Sequence, residues 1–242
     1  MPPGVCALFT LALFTLTLTL ARGGFAPVRC GRAWIAPVSC VDRAPAATVE
    51  IRLDADQFTF LATTSDTIHV TSRSIVEWLS ELPQGPAALL DYGCGSGILG
   101  IAALRLAVAD TALLTDISEG AVACAQRNAA LNEVQRACEV QLASNLPAVS
   151  PARAPADIAV ANMLAGPLCT VALEIAARTK TGGRLALSGF RRSELGAVSA
   201  AFSAFFDLDV DGAYESEGWL RVCGRRRPTP VTLLESSESA VM

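Results

Sequence analysis

One stretch of the chain reads Leu90-Asp91-Tyr92-Gly93-Cys94-Gly95-Ser96-Gly97. A short apolar run over residues 87–92 leads into it, and an apolar helix is predicted to follow over residues 98–108. Glycines between a strand and a helix allow positive φ angles and let backbone N–H groups approach a ligand closely. The stretch therefore predicts a ligand-binding turn at the carboxyl end of a strand.

Strand and helix patterns alternate on both sides of this turn. Further strands are predicted over residues 111–116, 138–142, 157–161 and 184–188, and helices over 72–82, 118–131 and 164–178. Two last strands, near residues 205–210 and 219–223, are expected to form an antiparallel hairpin. This order predicts an α/β fold with a Rossmann-like, doubly wound, mostly parallel sheet and a C-terminal antiparallel hairpin.

The chain of 242 residues is predicted to comprise a targeting or signal-like segment (1–27), a β-rich lead-in or linker (28–67), a main domain (68–227) and a disordered tail (228–242). The first segment contains an uncharged apolar run from Val5 to Ala21, which has about the length of a signal core. In the second, the alternation over residues 48–53 predicts a strand.

Composition excludes several classes of protein. A hydrophobic content of 52% excludes a chain that is disordered throughout. The formal net charge of -4 argues against direct binding to nucleic acid. Eight cysteines without a CxxC pair, together with the single histidine His69, favour reduced thiols and predict no metal site.

A second acidic residue, Asp116, ends the next predicted strand, about twenty residues beyond the glycine turn. A carboxylate there can accept hydrogen bonds from both hydroxyls of a ribose, or it can cap the following helix. Asp91 can accept hydrogen bonds from a cationic amino-acid ligand, or it can serve as a structural turn residue. A nicotinamide fingerprint counted from Gly93 needs glycine where Ile98 stands, which disfavours a dehydrogenase.

The glycine turn resembles the first motif of class I S-adenosylmethionine-dependent methyltransferases. The later stretch Asn162-Met163-Leu164-Ala165-Gly166-Pro167-Leu168 resembles the N-I-L-A-G-P-L segment of the ribosomal protein L11 methyltransferase family. Four other segments agree with that family: His69-Val70-Thr71-Ser72-Arg73, Glu77-Trp78-Leu79, Gly183-Arg184-Leu185-Ala186-Leu187-Ser188-Gly189 and Glu217-Gly218-Trp219. The resemblance covers about residues 31–227, in order and at compatible spacing.

This resemblance implies S-adenosyl-L-methionine as cofactor and a lysine or N-terminal amine of a protein as methyl acceptor. It implies that the cofactor is held by Thr71, Asp91, Gly93, Gly95, Gly97, Asp116 and Asn162. It also implies that the side-chain carbonyl of Asn162 and a nearby backbone carbonyl accept hydrogen bonds from the substrate nitrogen. Asn162 is therefore the predicted catalytic residue. The implied partner is a ribosomal protein L11-like or other organellar protein.

Other residues near these motifs are open to two interpretations. His69 is either a base or a structural, cofactor-adjacent residue, and no dedicated base is identified. Ser144 and Asn145 lie either near the adenine or in a plain turn. Cys94 is predicted to be a small packed residue, while Asn128 and Asn132 are predicted to serve helix packing and capping.

Residues 64–68 depart from the family pattern, because they lack both glycines of its cofactor-covering loop, and Val70 replaces a proline. The family's N-terminal substrate-recognition domain has no room before residue 31. Either the chain is a shortened relative with another substrate, or its first part is missing or misread. Two alternatives stay open: a lysine methyltransferase of the electron-transfer flavoprotein β-subunit type, and a non-catalytic binding module with a methyltransferase fold.

The predicted compartment rests on the N-terminal segment. Gly24-Phe25-Ala26-Pro27 resembles the junction in bipartite presequences of algae with complex plastids. A plastid, or else a mitochondrion, is therefore expected, with the cytoplasm as the alternative. Once a signal segment is removed, no stable membrane association is expected.

Overall fold

The computed structural model describes residues 68–147 and 155–228, together with the backbone of four upstream strands. Strand β1 (Leu13–Thr19) pairs with β4 (Thr48–Asp54), and β2 (Val28–Cys30) pairs with β3 (Ala33–Ile35), both antiparallel. Strand β4 confirms the strand predicted from alternation. The altered loop residues 64–67, the tail from residue 229 and, apart from β1, the predicted targeting segment lie outside the described residues.

The main domain alternates helices and strands. In chain order its elements are α1 (Val70–Glu81), β5 (Ala88–Tyr92), α2 (Ile98–Arg105), β6 (Thr111–Asp116), α3 (Glu119–Leu131), β7 (Cys138–Leu142), β8 (Ala156–Asn162), α4 (Ala165–Thr170), α5 (Ala172–Ala177), β9 (Thr179–Arg191), α6 (Leu195–Phe202), β10 (Phe206–Ser216) and β11 (Trp219–Arg226).

Seven of these strands form one sheet in the order β10-β11-β9-β8-β5-β6-β7. The five strands from β9 to β7 are parallel, whereas β11 runs antiparallel to both β9 and β10. The predicted doubly wound sheet with an antiparallel C-terminal hairpin is therefore confirmed. Strand order reverses between β5 and β8, and ligands of open α/β sheets bind at the carboxyl ends of strands at such a reversal.

The sheet separates two apolar layers, because neighbouring residues of a strand face opposite sides. On one side, Leu89 packs with Ile75 of α1, Ile101 of α2 and Ala125 of α3. On the other side, Leu90 packs with a second cluster, which includes Leu168 of α4, Ile175 of α5 and Phe202 of α6. Helices thus cover both faces of the sheet, which leaves its strand ends as the edge on which a site can form.

The structure differs from the sequence prediction near the C-terminus. The helix predicted over 164–178 consists of α4 and α5, which meet at Val171, where the backbone has φ -101 and ψ 6. Helix α6 was not predicted, because its eight residues are mostly small and apolar and show no clear polar face. Strands β9 and β10 are longer than predicted.

Among residues 68–147 and 155–228, no helix combines the length and apolar character that crossing a membrane requires.

Candidate active site

The glycine turn lies between β5 and α2, at the reversal point of the sheet. Gly95 has φ 53, and a Cβ placed on it would meet no atom within 4 Å, so the turn presents open backbone there. Gly97 has φ 80, and a Cβ on it would lie 3.0 Å from both Ala125 and Leu114. One glycine therefore leaves room for a ligand, and the other lets the turn pack closely against β6 and α3.

Buried hydrogen bonds hold this turn in place. The N–H groups of Gly93 and Cys94 donate to the Thr115 carbonyl oxygen at 2.8 and 3.0 Å. From α3, the buried Asn128 donates its Nδ2 to the Ser96 carbonyl oxygen at 2.9 Å. Asn132 donates to the Asn128 carbonyl oxygen at the end of the same helix, at 2.7 Å. The packing and capping predicted for the two asparagines are confirmed, and Asn128 also supports the turn.

Asp91 lies beneath the turn and is 0% exposed. Its Oδ2 accepts a hydrogen bond from the Gly100 N–H in the first turn of α2 at 3.0 Å. Its Oδ1 has no hydrogen-bond partner among the described residues. Burial raises the pKa of Asp91 to about 7, opposed by the Gly100 hydrogen bond and reinforced by the charge of Asp116. This geometry favours the structural interpretation of Asp91, while its contact with a ligand stays a prediction.

Asp116 ends β6 beside the turn, and both of its oxygens accept backbone hydrogen bonds. Oδ2 accepts from the Gly95 N–H at 2.9 Å, and Oδ1 accepts from the Ser118 N–H at 3.0 Å. Ser118, as predicted, is the residue that caps α3, through Oγ and the Ala121 N–H at 3.4 Å. A carboxylate oxygen has a second lone pair, so the half-buried Asp116 is held rigidly and can still accept hydrogen bonds from a ligand.

Ile117, which follows Asp116 directly, was not among the predicted site residues. Its side chain is 88% exposed, unusually so for a large apolar residue at the edge of a core. The sequence offered one indication of this position, namely an apolar residue directly after the acidic residue that ends a predicted strand. Ile117 offers an apolar surface to a flat base whose ribose would lie against Asp116.

These residues fit the cofactor that the resemblance implies. S-adenosyl-L-methionine combines a base, a ribose with two hydroxyls and a cationic amino acid. Open backbone at Gly95, the carboxylate of Asp116 and the exposed Ile117 occupy neighbouring strand ends, as binding of such a molecule requires.

The N-terminus of α1 brings His69 and Thr71 together. His69 is the N-cap, and its Nδ1 lies 2.8 Å from Thr71 Oγ1 and accepts from the Thr71 N–H at 3.4 Å. Its ring meets Trp219 edge-on, with centroids 5.4 Å apart. Burial lowers the pKa of His69; Glu217 opposes this shift and Arg191 adds to it. These contacts give His69 a structural role, while a direct contact of Thr71 with cofactor stays a prediction.

Asn162 is the last residue of β8 and pairs with Ser188 of β9. Its Nδ2 donates to Ser72 Oγ at 2.9 Å, whereas its Oδ1 accepts no hydrogen bond from the described residues. The next residue, Met163, reaches over the turn, because a Cβ on Gly93 would collide with the Met163 methyl group. Asn162 therefore stands beside the glycine turn, with its carbonyl oxygen available.

Ser72 is a second residue that sequence analysis did not select, although it stands in the same motif as His69 and Thr71. Leu164, two residues after Asn162, is 61% exposed.

Cys94 is buried, and burial raises the pKa of its thiol, in agreement with the packed role predicted for it. Ser144 and Asn145 lie in an exposed turn after β7, and a position near the adenine stays a prediction for them.

The similarity of the fold to solved structures shows the class of protein. The fold matches the crystal structure of an RNA methyltransferase from Salinibacter ruber in complex with S-adenosyl-L-homocysteine. The TM-score is 0.50 at 15% identity, over 70% of this chain and 98% of that one. The fold is therefore the Rossmann-like fold of methyltransferases.

The family follows from the sequence match. The model of the family described as ribosomal protein L11 methyltransferase (PrmA) matches residues 19–227, and the chain belongs to this family. The ribosomal protein L11 methyltransferase of Pseudomonas paraeruginosa is 42% identical over 205 residues, which cover 84% of this chain and 65% of the relative. The chain thus spans slightly less than two thirds of that relative's length.

A structure from the same family agrees with this assignment. The crystal structure of a ribosomal protein L11 methylase from Lactobacillus delbrueckii subsp. bulgaricus matches with a TM-score of 0.54 and 26% identity. The match covers 64% of this chain and 79% of that one.

Proposed function

We propose that this chain is an S-adenosyl-L-methionine-dependent protein N-methyltransferase, acting on a lysine or N-terminal amine of a ribosomal protein L11-like substrate. The observation that carries the proposal is the amide of Asn162, whose nitrogen is bound to Ser72 while its carbonyl oxygen stays available beside the glycine turn. The names of the relatives from Pseudomonas paraeruginosa and Lactobacillus delbrueckii support the substrate class.

Three sets of atoms would hold the cofactor. The open backbone around Gly95 would receive the amino-acid part, Asp116 the ribose hydroxyls and Ile117 the base. When bound, S-adenosyl-L-methionine supplies a sulfonium methyl group, so that attack by an amine forms a nitrogen–carbon bond, breaks the sulfur–carbon bond and leaves S-adenosylhomocysteine.

Asn162 would act on the substrate amine. Its Oδ1 would accept a hydrogen bond from one amine N–H, which restricts rotation of the amine and thereby the direction of its lone pair. Positioning of this kind accelerates a displacement without covalent participation of the enzyme. Asn162 is accordingly the one residue to which we assign direct contact with the reacting nitrogen.

The substrate amine must be neutral before it attacks, and His69 is poorly suited to remove its proton. Since Nδ1 accepts from the Thr71 N–H, the neutral ring carries its proton on Nε2, which leaves neither ring nitrogen free to accept a proton from the substrate. Desolvation at the site disfavours the charged ammonium instead. The lysine would therefore lose one proton to water on entry, and the methylated product would leave as an ammonium that carries the positive charge formerly on the sulfonium.

Calorimetry followed by methyl transfer tests the proposal. We expect the protein to bind S-adenosylhomocysteine and not NAD, and to transfer labelled methyl groups from S-adenosyl-L-methionine to bacterial ribosomal protein L11, with the modified residue identified by mass spectrometry. Binding of S-adenosylhomocysteine without methyl transfer to L11 would reject L11 as the substrate. Electron-transfer flavoprotein β subunit is the alternative substrate, and it is tested in the same assay. Binding of neither ligand would reject the enzyme and favour a binding module.

We extend the proposal to an organelle, because the stretch Gly24-Phe25-Ala26-Pro27 follows the apolar run of the N-terminal segment. A fluorescent protein fused behind residues 1–40 should enter the plastid of an alga with complex plastids. Fluorescence throughout the cytoplasm would contradict this destination, and a mitochondrial pattern would replace the plastid as the compartment.

A further inference from the structure

The amide of Asn162 has two chemically different ends. A carbonyl oxygen facing the substrate amine accepts its N–H and leaves its lone pair free, whereas an amide N–H facing the amine would donate to that lone pair and compete with the methyl group. The last torsion of asparagine is broad and nearly two-fold, so it does not by itself choose between these orientations. A neighbouring group has to make the choice.

We infer that Ser72 is a positioning residue that presents the Asn162 carbonyl oxygen to the acceptor amine, an inference that rests on the proposed function. Ser72 Oγ accepts a hydrogen bond from Asn162 Nδ2 at 2.9 Å, between residues 90 positions apart in the chain. With Nδ2 occupied in this way, Oδ1 is the end of the amide left for the substrate.

Ser72 is held on its own side of this contact. It lies in the first turn of α1, whose N-cap residue His69 packs its ring edge-on against Trp219 of β11, with centroids 5.4 Å apart. Two residues after Ser72, the Ser74 carbonyl oxygen accepts from Arg221 Nη1 of β11. The helix that carries Ser72 is therefore attached to the sheet on both sides of the serine.

Asn162 is held equally firmly. The Met163 N–H donates to the Ser188 carbonyl oxygen at 3.1 Å, which continues the pairing of β8 with β9 past Asn162. Gly189 lets the Met163 backbone approach, because a Cβ there would lie 2.5 Å from the Met163 carbonyl oxygen. With both backbones fixed, the hydrogen bond from Asn162 Nδ2 to Ser72 Oγ holds the amide in the orientation that the structure shows.

Steady-state kinetics with bacterial ribosomal protein L11 test this role. Ser72→Ala should lower kcat about tenfold, in line with loss of one hydrogen bond, while KM and the Kd for S-adenosylhomocysteine change less than about twofold. Ser72→Thr, which keeps the hydroxyl, should stay within about threefold of the wild type. Ser80→Ala is the matched control, because Ser80 lies on the same helix and bonds the Glu77 carbonyl oxygen, and it should leave kcat unchanged.

A double-mutant cycle separates positioning from general damage. In the Asn162→Ala background, Ser72→Ala should have no further effect, since the amide that it orients is gone. Unchanged kcat in Ser72→Ala, or the same loss in the Asn162→Ala background, would overturn the inference.

A second measurement does not depend on the substrate. Nitrogen–proton correlation NMR should show the side-chain amide of Asn162, assigned by its loss in Asn162→Ala, shifted in Ser72→Ala and unshifted in Ser80→Ala. An unshifted signal in Ser72→Ala would overturn the inference. If the wild type transfers no methyl group to L11, the proposed substrate fails, while this signal still decides whether Ser72 holds Asn162.

Discussion

Asp91 and Asp116 are carboxylates at the same edge of one sheet, and their surroundings give them different properties. Asp91 is completely buried and receives one backbone hydrogen bond, so its charged form is poorly solvated. Asp116 is half-buried, and each of its oxygens receives a backbone hydrogen bond. Asp116 is therefore suited to contact a ligand, whereas Asp91 is suited to hold the start of α2.

Replacement of Asp116 tests its contact with the ribose. Asp116→Ala should weaken binding of S-adenosylhomocysteine by about 1–3 kcal/mol, because charge-assisted hydrogen bonds to the two hydroxyls are lost. Isothermal calorimetry gives the Kd. Asp110→Ala, which removes the same charge from an exposed position at the other end of β6, should leave the Kd unchanged. A Kd unaffected by Asp116→Ala would contradict the ribose contact.

Asp91 should make stability depend on pH in an unusual direction. The pKa of this carboxyl is near 4 in an unfolded chain, and burial raises it to about 7 in the folded protein. Between these values the folded state binds more protons, so the free energy of unfolding falls as pH rises from about 4 to about 7.

The matched variant Asp91→Asn keeps an oxygen for the Gly100 N–H and does not titrate. Urea unfolding at several pH values should show the wild type losing stability relative to this variant as pH rises through that window. Parallel pH profiles for the two proteins would show that Asp91 titrates normally. Asp110→Asn, at an exposed site, should give a profile parallel to that of the wild type.

At the scale of elements, the ends of β8 and β9 meet more closely than side chains would allow. Gly189 has φ 94, and a Cβ on it would lie 2.5 Å from the carbonyl oxygen and 2.7 Å from the nitrogen of Met163. These are backbone atoms, so they cannot rotate away. The close approach fixes the position of the segment that begins with Asn162.

Gly189→Ala should therefore cost more stability than Gly182→Ala. Both positions have positive φ, which costs alanine about 1–2 kcal/mol, but a Cβ on Gly182 meets nothing within 4 Å. The added collision at Gly189 should cost about 1–3 kcal/mol more and reduce methyl transfer. Urea unfolding of the two variants measures the difference. Equal losses would mean that the Met163 backbone adjusts at no cost.

Most elements were predictable from local pattern, since apolar spacing and turn residues are local properties. Strands β6 and β7 have the predicted bounds, and α3 begins at the predicted cap, Ser118. Helix α6 was missed because its eight residues are mostly apolar, so that Val198 and Phe202, which lie four residues apart, do not stand out against a polar face. The break at Val171 was also missed, because no proline or glycine marks it.

At the scale of the whole molecule, one sheet serves two apolar layers. The layer under α4 to α6 contains three fully buried phenylalanines, Phe190, Phe202 and Phe206, while Trp78 lies in the opposite layer. Strands β5, β8 and β9 contribute buried side chains to both layers. Unfolding of one layer would therefore expose one face of the strands whose opposite face packs in the other layer.

Phe202→Ala should destabilise the entire domain by about 3–5 kcal/mol, through lost burial and the cavity that remains. Tryptophan fluorescence, which includes Trp78 on the far side of the sheet, and far-ultraviolet circular dichroism should report the same urea midpoint. Separate midpoints would show that the layers unfold independently. Ser203→Ala, at an exposed position next to the same helix, should stay within about 0.5 kcal/mol of the wild type.

The amino-acid order alone was sufficient to identify the glycine turn, the strand-ending Asp116 and the segment that starts at Asn162, because each is a short pattern of neighbouring residues. It was not sufficient to pair Asn162 with Ser72, to bury Asp91 completely or to expose Ile117. Those properties depend on contacts between residues far apart in the chain, which form when helices pack on the sheet. Local propensity acts over a few residues, whereas the environment of a side chain depends on the packing of the whole domain.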